Sequence, residues 1–410
     1  MEPRPAVPKT YKWQVVGLLW GISLFNYADR QAIFSVFPLL EKEFGLSPVQ
    51  LGLLGSSFAW VYGLCSPLAG VIVDRVRRVS AILGGLAVWS VICTATAVSR
   101  GFPALLFFRA AEGLGECFYF PASMSFLSGY HAPTTRSRAM GLHQTSVYAG
   151  TILGGFFAGL IGQRYGWRWS FVTFGGLGML YALVLRPLLI EPPREAVERP
   201  DPLKGLAAIW RQPAARRLGL AFLMANFVAV VLLSWMPKYL YDKFGLSLAM
   251  AGLAATLYVQ LASLAGSALG GWLADSWQRR RPGGRIAVQA LAILCGAPFV
   301  ALCGLTSSTR WLLVALTAWG LCKGLYDANI FASVYDVVPP EVRGSAAGAM
   351  NAVGWVGGGS APLAIGWLSQ HWGLGPSIAV TATVYVMASG SLLSAVRQIN
   401  AAQPARQAAP

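Results

Sequence analysis

The chain has 410 residues, of which 55% are hydrophobic and only 12% are charged. A soluble protein carries roughly 25% charged residues, so this composition argues against a water-soluble enzyme or binding protein. The formal net charge of +16 would suit a nucleic-acid ligand. The basic residues, however, lie between apolar stretches and form no separate basic surface with interleaved aromatic residues, so we expect no nucleic-acid binding.

Apolar stretches of about 20 residues follow one another along the chain, and each is long enough to cross a hydrocarbon core of about 30 Å. In chain order they are 13–37, 50–73, 79–99, 103–128, 139–162, 168–190, 216–240, 248–274, 285–305, 311–335, 344–368 and 373–396. We therefore predict an all-α integral membrane protein with twelve transmembrane helices in two pseudo-symmetric six-helix bundles.

The distribution of positive charge predicts the orientation in the membrane. Of the 32 Lys and Arg residues, about 21 fall on the side that holds both termini and about seven on the other, and cytoplasmic loops are the ones enriched in Lys and Arg. We therefore expect a multi-pass protein of the cell (inner) membrane with both termini cytoplasmic. The first apolar stretch lacks a small-residue cleavage site, so we expect it to be retained as a helix.

A polar break that is rich in proline and charge divides the chain into six plus six predicted helices. The predicted organisation is a cytoplasmic N-terminus at 1–12, an N-terminal bundle at 13–190, a cytoplasmic linker at 191–214, a C-terminal bundle at 215–396 and a cytoplasmic tail at 397–410. The six-plus-six division predicts that the two halves are related units.

Internal repeats support that division. Gly70, Asp74 and Arg78 recur 201 positions later as Gly271, Asp275 and Arg279, and Arg136, Gly141, Gly150 and Gly166 recur 207 positions later as Arg343, Gly348, Gly357 and Gly373. A duplicated six-helix unit is typical of transporters that work by alternating access, with a site near the middle of the membrane between the repeats.

The loop between the second and third predicted helices contains a further pattern, "GVIVDRVRR", and "GWLADSWQRR" is its second copy. Both resemble the signature loop of the major facilitator superfamily, although Arg77 stands where that family usually has glycine and Ser276 where it has arginine. We interpret Gly70, Asp74, Arg75, Arg78 and Asp275 as a conformational latch. The alternative is that these charges only set the topology.

Ionisable residues occur inside three of the apolar stretches, where a charge costs roughly 2.5–3.5 kcal/mol at mid-bilayer and usually has a functional partner. They are Asp29 and Arg30 in the first stretch, Arg109, Glu112 and Glu116 in the fourth, and Lys323 and Asp327 in the tenth. Arg109, Glu112 and Glu116 are spaced i, i+3, i+7 and share a helix face. Counting depth along each helix at about 1.5 Å per residue pairs Asp29 with Arg109 and Glu116 with Lys323. The 207-residue repeat likewise makes Glu116 and Lys323 equivalent.

These residues form the predicted transport site. A carboxyl group held between desolvation and a nearby cation can change protonation with conformation, which suits proton coupling by Asp29, Glu116 and Arg109. A cation facing the cavity favours an anion. The candidate substrate-binding residues are Arg30, Lys323, Tyr27, Gln144, Tyr148, Tyr326, Asp327 and Asn351. The alternatives are static ion pairs for the charges and helix packing for the tyrosines and amides.

We predict no catalytic residues, cofactor or metal site. The three histidines lie at loops or a helix end without ligand spacing, and the six cysteines fall inside apolar stretches, which indicates small buried residues rather than disulfides.

Four short segments carry a resemblance to a known family: "NYADR" at 26–30, "RAAEGLGE" at 109–116, "GWRWSF" after helix five and "WMPKYL" closing helix seven. Together they resemble the anion:cation symporter family, a branch of the major facilitator superfamily that includes sugar-acid transporters. The resemblance implies proton coupling and anion binding by the residues at the motif positions, Asp29, Arg30, Arg109 and Glu116.

The chain departs from the sugar-acid members at two positions that the resemblance implies would line the site. Val147 stands where they tend to have glutamine, and Trp355 where they tend to have asparagine. These replacements argue for a smaller or more apolar anion than a hydroxyl-rich sugar acid.

The function that we predict is proton-coupled symport of a small organic anion, a carboxylate or sugar acid, by a monomer in the lipid bilayer. The same charges also resemble those of the spinster family, so a lysolipid or similar amphiphile is the alternative substrate. A third alternative, a sensor on the same fold, would need an output domain that the short linker and tail are too small to form. We expect no enzymatic activity.

Overall fold

The computed structural model describes residues 10–192, 207 and 209–407, without the side chains of Asp74, Pro133, Ser137 and 402–407. The predicted N-terminus at 1–12, linker at 191–214 and tail at 397–410 fall largely or partly outside this range. In the described part the helices are α1 Tyr11–Ser35, α2 Phe37–Phe44, α3 Pro48–Arg75, α4 Arg78–Thr96, α5 Phe102–Glu116, α6 Tyr119–Tyr130, α7 Pro133–Tyr165, α8 Trp167–Leu185, α9 Pro213–Phe244, α10 Leu248–Arg280, α11 Gly284–Leu305, α12 Thr309–Asp327, α13 Ile330–Val337, α14 Arg343–Trp372 and α15 Leu374–Gln407, with a 3₁₀ turn at Pro340–Val342.

These helices form the twelve predicted segments, because three segments consist of two helices each. The breaks are at Val36 between α1 and α2, at 117–118 between α5 and α6, and at 328–329 between α12 and α13. Eight helices of the described residues are long and apolar enough to cross a membrane on their own: α3, α4, α7, α8, α9, α10, α11 and α15. The other four segments are the three broken ones, which contain the buried charges, and the glycine-rich α14.

A repeated turn shows the pseudo-symmetry most clearly. The sequence Phe-Gly-Leu-Ser occurs at 44–47 and again at 244–247, between the first two segments of each half. Gly45 and Gly245 end their helices in the left-handed region, with φ of 62° and 63°. The hydroxyl groups of Ser47 and Ser247 then accept hydrogen bonds from backbone amides and cap the next helix. Our sequence reading did not identify this repeat.

The 207-residue repeat is supported by the packing of the fourth segment of each half. Gly113 of α5 lies against the carbonyl oxygen of Phe58, and Gly320 of α12 lies against that of Val259. Phe58 and Val259 are themselves 201 positions apart, which is the spacing of the other repeat. Glu116 and Lys323 are therefore at equivalent positions, as predicted.

The two bundles meet mainly on one side of the molecule. We call the side that holds Tyr11 and the turn at 76–77 the terminal side, and the side that holds the turns at Gly45 and Gly245 the opposite side. Near the opposite side, α7 packs on α10 and α3 packs on α14 with backbone against backbone. A Cβ atom at Gly159 would overlap the carbonyl of Leu248, and one at Gly366 would overlap that of Pro48.

Polar contacts between the bundles also lie toward the opposite side. Gln31 donates a hydrogen bond to the carbonyl oxygen of Leu233 at 3.0 Å, and the amide of Leu363 donates one to Ser56 Oγ at 3.1 Å. Lys238 of α9 pairs with Glu41 of α2.

Toward the terminal side the same helices diverge. Gly141 of α7 and Gly348 of α14 have open space beside them, with no described atom within 4 Å of a Cβ placed there. The described contacts of α7 with α10 and of α3 with α14 are therefore concentrated near the opposite side, whereas α7 and α14 have open space beside them toward the terminal side.

Candidate functional site

The charged residues of the N-terminal bundle come together in the middle of α1 and α5. Successive residues of a helix point about 100° apart, so the neighbours Asp29 and Arg30 meet different partners. Arg30 Nε forms an ion pair with Glu116, the last residue of α5. The carboxylate of Asp29 lies instead within 4.8 Å of a carboxylate oxygen of Glu112 and of the Cys93 sulfur.

The second guanidinium group of the cluster belongs to Arg109, which forms an ion pair with Glu112 one turn along α5. Arg109 and Glu112 are at most 1% exposed. The ring of Phe58 lies between the two cations, 5.0 Å from the guanidinium carbon of Arg30 and 4.9 Å from that of Arg109. One aromatic residue of α3 therefore contacts both ion pairs.

Both ion pairs predicted from helix depth are wrong. We expected Asp29 to pair with Arg109 and Glu116 with Lys323, whereas Arg109 pairs with Glu112, Glu116 with Arg30 and Lys323 with Asp327. Depth fixes only one coordinate of a side chain. The rotation of each helix brings Arg30, rather than Asp29, to the face of α1 that meets Glu116, and Lys323 belongs to the other bundle.

The cluster has more acidic than basic groups. Asp29, Glu112 and Glu116 supply three carboxyl groups, and Arg30 and Arg109 supply two guanidinium groups, all of them buried. Among the described residues, Asp29 Oδ1 and one carboxylate oxygen each of Glu112 and Glu116 have no hydrogen-bond partner. If every group were ionised, the cluster would carry one negative charge without a counter-charge, which is costly in a buried environment.

Arg30 is surrounded by aromatic rings. Its guanidinium carbon lies 4.5 Å from the ring centre of Tyr62, 4.8 Å from Tyr27, 5.0 Å from Phe58 and 5.6 Å from Trp355. Tyr27, Phe58 and Tyr62 come from the N-terminal bundle, and Trp355 comes from α14 of the C-terminal bundle. We call these four rings the Arg30 cage. Within the described part of the chain, Arg30 Nη1 has no hydrogen-bond partner.

Sequence reading missed two members of the cage, Phe58 and Tyr62, and also the buried thiol of Cys93. Phe58 and Tyr62 are spaced i, i+4 on α3, so the signal available was an aromatic pair on one helix face. Core packing gives the same pattern, and only the position of Arg30 distinguishes the two.

The C-terminal bundle contributes the ion pair of Lys323 and Asp327 on α12. The phenol group of Tyr148, on α7 of the other bundle, is close enough to interact electrostatically with Lys323. Lys323 and Tyr148 are therefore near each other although they belong to different bundles. Tyr326 points the other way, because it is 2% exposed and belongs to the core of its own bundle.

The remaining predicted binding residues line the cavity to different degrees. Gln144 of α7 is exposed, and Asn351 of α14 is half-buried. Both lie on the terminal-side half of their helices, where the bundles diverge. Tyr27 is half-buried beside Arg30 and also contacts the backbone of α7 near Gly150.

The spacing of Asp29, Cys93 and Glu112 would by itself admit a metal ion. Glu112, however, already forms an ion pair with Arg109, and the guanidinium group of Arg30 is also part of this cluster. We therefore interpret the three residues as part of the ion-pair cluster.

Comparison with known proteins agrees with this architecture. The model of the Major Facilitator Superfamily matches residues 19–362 and 239–407, which together cover most of the chain. The chain belongs to the major facilitator superfamily. The hexuronate transporter of Bacillus subtilis is 26% identical to this chain over 88% of this chain and 89% of the relative.

Two further proteins show the extent of the similarity. The D-galactonate transporter of Escherichia coli O6:H1 is 25% identical over 96% of this chain and 97% of its own. The crystal structure of a bacterial homologue of the human lysosomal transporter spinster, in an inward-facing and unoccupied conformation, superposes with a TM-score of 0.85. It is 22% identical and covers 96% of this chain and 98% of that chain. The recognition of the superfamily from sequence and the predicted helical membrane fold are confirmed.

The two copies of the superfamily's signature loop lie at the terminal side. Arg75 is exposed, and no described atom lies within 4 Å of a Cβ placed on Gly70. The side chain of Asp74 lies outside the described residues. In the second copy, Asp275 accepts a hydrogen bond from Arg285 at 2.8 Å, within its own bundle.

The N-terminus of α4, which begins at Arg78 of the first copy, contacts Glu191 at the end of the N-terminal bundle. The backbone amides of Arg78 and Val79 donate hydrogen bonds to the carboxylate of Glu191, at 2.8 and 3.0 Å. A carboxylate at a helix N-terminus is favourable because the first amides lack partners within the helix. Both copies of the loop thus sit where the bundles are apart in this conformation.

Proposed function

We propose that this chain is a proton-coupled symporter of a small organic anion that works by alternating access. In this proposal Asp29, Glu116 and Arg109 couple protons, and Arg30 and Lys323 bind the anion. Gln144, Tyr148, Tyr27 and Asn351 line the path, with Asp327 as the partner of Lys323. Tyr326, which lies in a core, would act only by supporting α12.

The observation that carries the proposal is the unequal charge of the buried cluster. Three carboxyl groups accompany two guanidinium groups, and Asp29 Oδ1 has no partner in the described structure. A single bound proton would neutralise the cluster without moving any helix. Proton binding is therefore the smallest change that removes the uncompensated charge.

A link between the proton and the anion follows from the ion pair of Arg30 and Glu116. While Glu116 is ionised, Arg30 is neutralised by it. Protonation of Glu116 would release the guanidinium group for an anion, and carboxylates suit the fork of donors on arginine. Anion binding and proton binding would then favour each other, as symport requires.

Alternating access is supported by the one-sided contact between the bundles. The opposite side is closed by the ion pair of Lys238 with Glu41 and by the glycine contacts of α3 with α14 and of α7 with α10. The space between the bundles would then be open at the terminal side. Rocking of the two bundles would reverse this arrangement. Gly70, Asp74, Arg75, Arg78 and Asp275 would then form a latch on the terminal side.

The orientation in the membrane belongs to the same proposal. The excess of Lys and Arg on the terminal side supports a cytoplasmic location for that side and for both termini, and the inner membrane of the cell would hold the protein as a monomer. The structure would then be open toward the cytoplasm.

The choice of a small organic anion rests on the relatives. The hexuronate and D-galactonate transporters carry names that describe sugar acids and match this chain over nearly its whole length. A second candidate, an amphiphile such as a lysolipid, is favoured by the apolar Trp355 beside Arg30 and by the apolar Val147, which the family resemblance implies would line the site. A substrate with a long apolar tail would tolerate both.

The test is proton movement in proteoliposomes that contain a pH-sensitive dye. We expect an inwardly directed pH gradient to be consumed when a soluble organic anion is added, and the Asp29→Asn protein to lose this response. Glu341→Gln, at an exposed carboxylate in the 3₁₀ turn, is the matched control and should respond like wild type. If no soluble anion drives proton flux but a lysolipid does, the substrate is the amphiphile. If the Asp29→Asn protein responds like wild type, Asp29 does not couple protons.

A further inference from the structure

The Arg30 cage also carries information about the kind of anion. We propose that the transported anion is a carboxylate attached to an aromatic or similarly flat apolar body, and that Trp355 determines this specificity. This inference rests on the proposed function, because it names the substrate class of the same site.

The guanidinium group of Arg30 has one nitrogen atom without a hydrogen-bond partner. Nη1 of this side chain is itself buried and has no hydrogen-bond partner in the described part of the chain, while Arg30 as a whole is 9% exposed, so an anion would reach Nη1 only when the groups that cover it move. A carboxylate that pairs with a guanidinium group lies close to its plane. The group attached to the carboxylate therefore extends away from Arg30 past the rings that surround it.

The four rings of the Arg30 cage differ in how far they are exposed. Phe58 and Tyr62 are 4% and 5% exposed, whereas Tyr27 and Trp355 are half-buried. The exposed surface next to Arg30 is thus formed by one phenol and one indole ring. Rings of this kind pack favourably on other rings in offset or edge-on arrangements.

Trp355 is held firmly in this position. Its ring lies 4.6 Å from that of Tyr62, and a Cβ atom at Gly63 would come within 2.9 Å of the Trp355 Cβ atom. The indole therefore approaches α3 at a position where any larger residue than glycine would displace it.

The rings around Arg30 also affect how the hydroxyl groups of a substrate would be accommodated. A sugar acid carries hydroxyl groups on the carbons near its carboxylate, and each hydroxyl that faces a ring instead of a polar partner loses its hydrogen bonds. Trp355 presents an apolar ring beside Arg30, and the resemblance to the anion:cation symporter family implies that an amide is usual at this position and at that of Val147. Gln144 and Asn351 lie nearer the terminal side and are available to a substituent at the far end of the substrate.

The position of Trp355 therefore favours a flat apolar body next to the carboxylate. Discrimination by an apolar surface is moderate, typically about 10–200-fold, whereas a site built to hydrogen-bond hydroxyl groups rejects analogues that lack them much more strongly. Replacing the Trp355 indole with an amide should therefore weaken transport of aromatic acids and improve transport of sugar acids.

The experiment compares competing anions in the proteoliposome assay. Benzoate and 4-hydroxybenzoate are measured against glucuronate and gluconate for wild type, Trp355→Asn, Val147→Gln/Trp355→Asn and Trp355→Phe. We expect wild type to prefer the aromatic acids at least about tenfold in kcat/KM, and Trp355→Asn to reverse or abolish that preference. Trp355→Phe keeps a ring and should retain it.

Trp367→Asn is the matched control, because Trp367 is an exposed tryptophan on the same helix, α14, away from Arg30. It should keep the wild-type order of substrates. If Trp355→Asn folds poorly, Trp355→Phe and Trp355→Leu give the same comparison, since loss of the aromatic preference in leucine but not phenylalanine supports the proposal.

The two proposals fail in different ways. If wild type moves protons with glucuronate at least as well as with benzoate, or if Trp355→Asn leaves the order unchanged, the specificity proposal is wrong while symport stands. If only a lysolipid drives proton flux, both are wrong.

Discussion

Arg30 and Glu116 form an ion pair that joins the first membrane segment to the fourth at the last residue of α5. The helix breaks immediately after Glu116, at 117–118. The carboxylate is thus at a point where the backbone changes direction, and a change in its charge acts on both the helix break and the nearest cation.

Replacing Glu116 tests this coupling. In Glu116→Gln the acid cannot release a proton, and Arg30 stays without an ionised partner. We expect gradient-driven accumulation of the anion to fall to the level seen without a gradient, while exchange of internal for external anion continues. Counterflow in proteoliposomes at equal pH measures exchange, and driven uptake equal to wild type would contradict the role of Glu116.

Removing Arg109 should affect stability more than any surface arginine. The substitution Arg109→Ala leaves Glu112 buried without its cation, and breaking a buried pair by removing one partner costs about 3–5 kcal/mol. Thermal unfolding in detergent measures the loss, with the exposed Arg100→Ala as control. The double variant Arg109→Met/Glu112→Leu should recover much of it, and a loss as large as in the single variant would argue against the ion pair as the cause.

Closure of the opposite side depends on the close contact of α7 and α10. A Cβ atom at Gly252 would overlap the carbonyl oxygen of Gly155, whereas one at Gly84 has open space. We expect Gly252→Ala to hold the bundles apart there at a cost of about 1–3 kcal/mol and to slow transport, and Gly84→Ala to leave it unchanged. Substrate uptake rates at matched protein levels provide the measurement, and equal rates for both variants would rule out this contact as a requirement.

The pair of Lys238 and Glu41 should stabilise the same closed side. Lys238 is 6% exposed and also binds Asp242 at 2.6 Å, so it keeps a partner when Glu41 is lost. Glu41→Gln should therefore open the opposite side more often, and Lys238→Gln should do so to a greater degree. Labelling of Ser56→Cys by an impermeant thiol reagent, in a protein without its native cysteines, reports the opening. Equal labelling with and without Glu41→Gln would refute the prediction.

A pH dependence is expected at Glu43, which lies near the end of α2, six residues beyond the predicted apolar stretch 13–37. A hydrogen bond from Arg168, together with one from Trp167, holds the pKa of this carboxyl group below its ordinary value, with burial opposing them. The pair therefore stabilises the fold above the ordinary glutamate pKa of about 4.3 and loses that contribution as the pH falls through the lower folded-state pKa.

The corresponding measurement compares thermal unfolding of wild type and Glu43→Gln at pH 7 and at pH 3. We expect a small difference at pH 7, because both side chains of the pair are partly exposed, and a smaller one at pH 3. Glu341→Gln, at an exposed carboxylate in the 3₁₀ turn, is the control. A difference that grows toward pH 3 would have the wrong sign for this pair.

The fold was largely accessible from the sequence because each segment must satisfy its own backbone in lipid, which makes apolar length a strong signal. The charged residues of the first and fourth segments were found for a similar reason, since charges in apolar stretches are rare. Their partners were not found, because Asp29 and Arg30 differ by one residue in depth but by about 100° in direction.

Contacts between the bundles were the least predictable feature. Lys238 and Glu41 lie almost 200 residues apart, and each stands near a segment end, where charges are common. The Arg30 cage combines α1, α3 and α14, so no local pattern identifies it. The turn at Gly45 and its copy at Gly245 could have been found, since the identical sequence at 44–47 and 244–247 is a direct signal.

The origin of the cage residues has one more consequence. Three rings travel with the N-terminal bundle and Trp355 travels with the C-terminal one, so separating α3 from α14 to open the opposite side takes the indole away from Arg30. An anion that arrives from the terminal side meets all four rings around Arg30. An anion that arrives from the opposite side meets a site without the Trp355 ring. The apparent affinity for the same anion should therefore be higher from the terminal side than from the opposite side. The movement that exposes the site to the opposite side would itself favour release of the anion there.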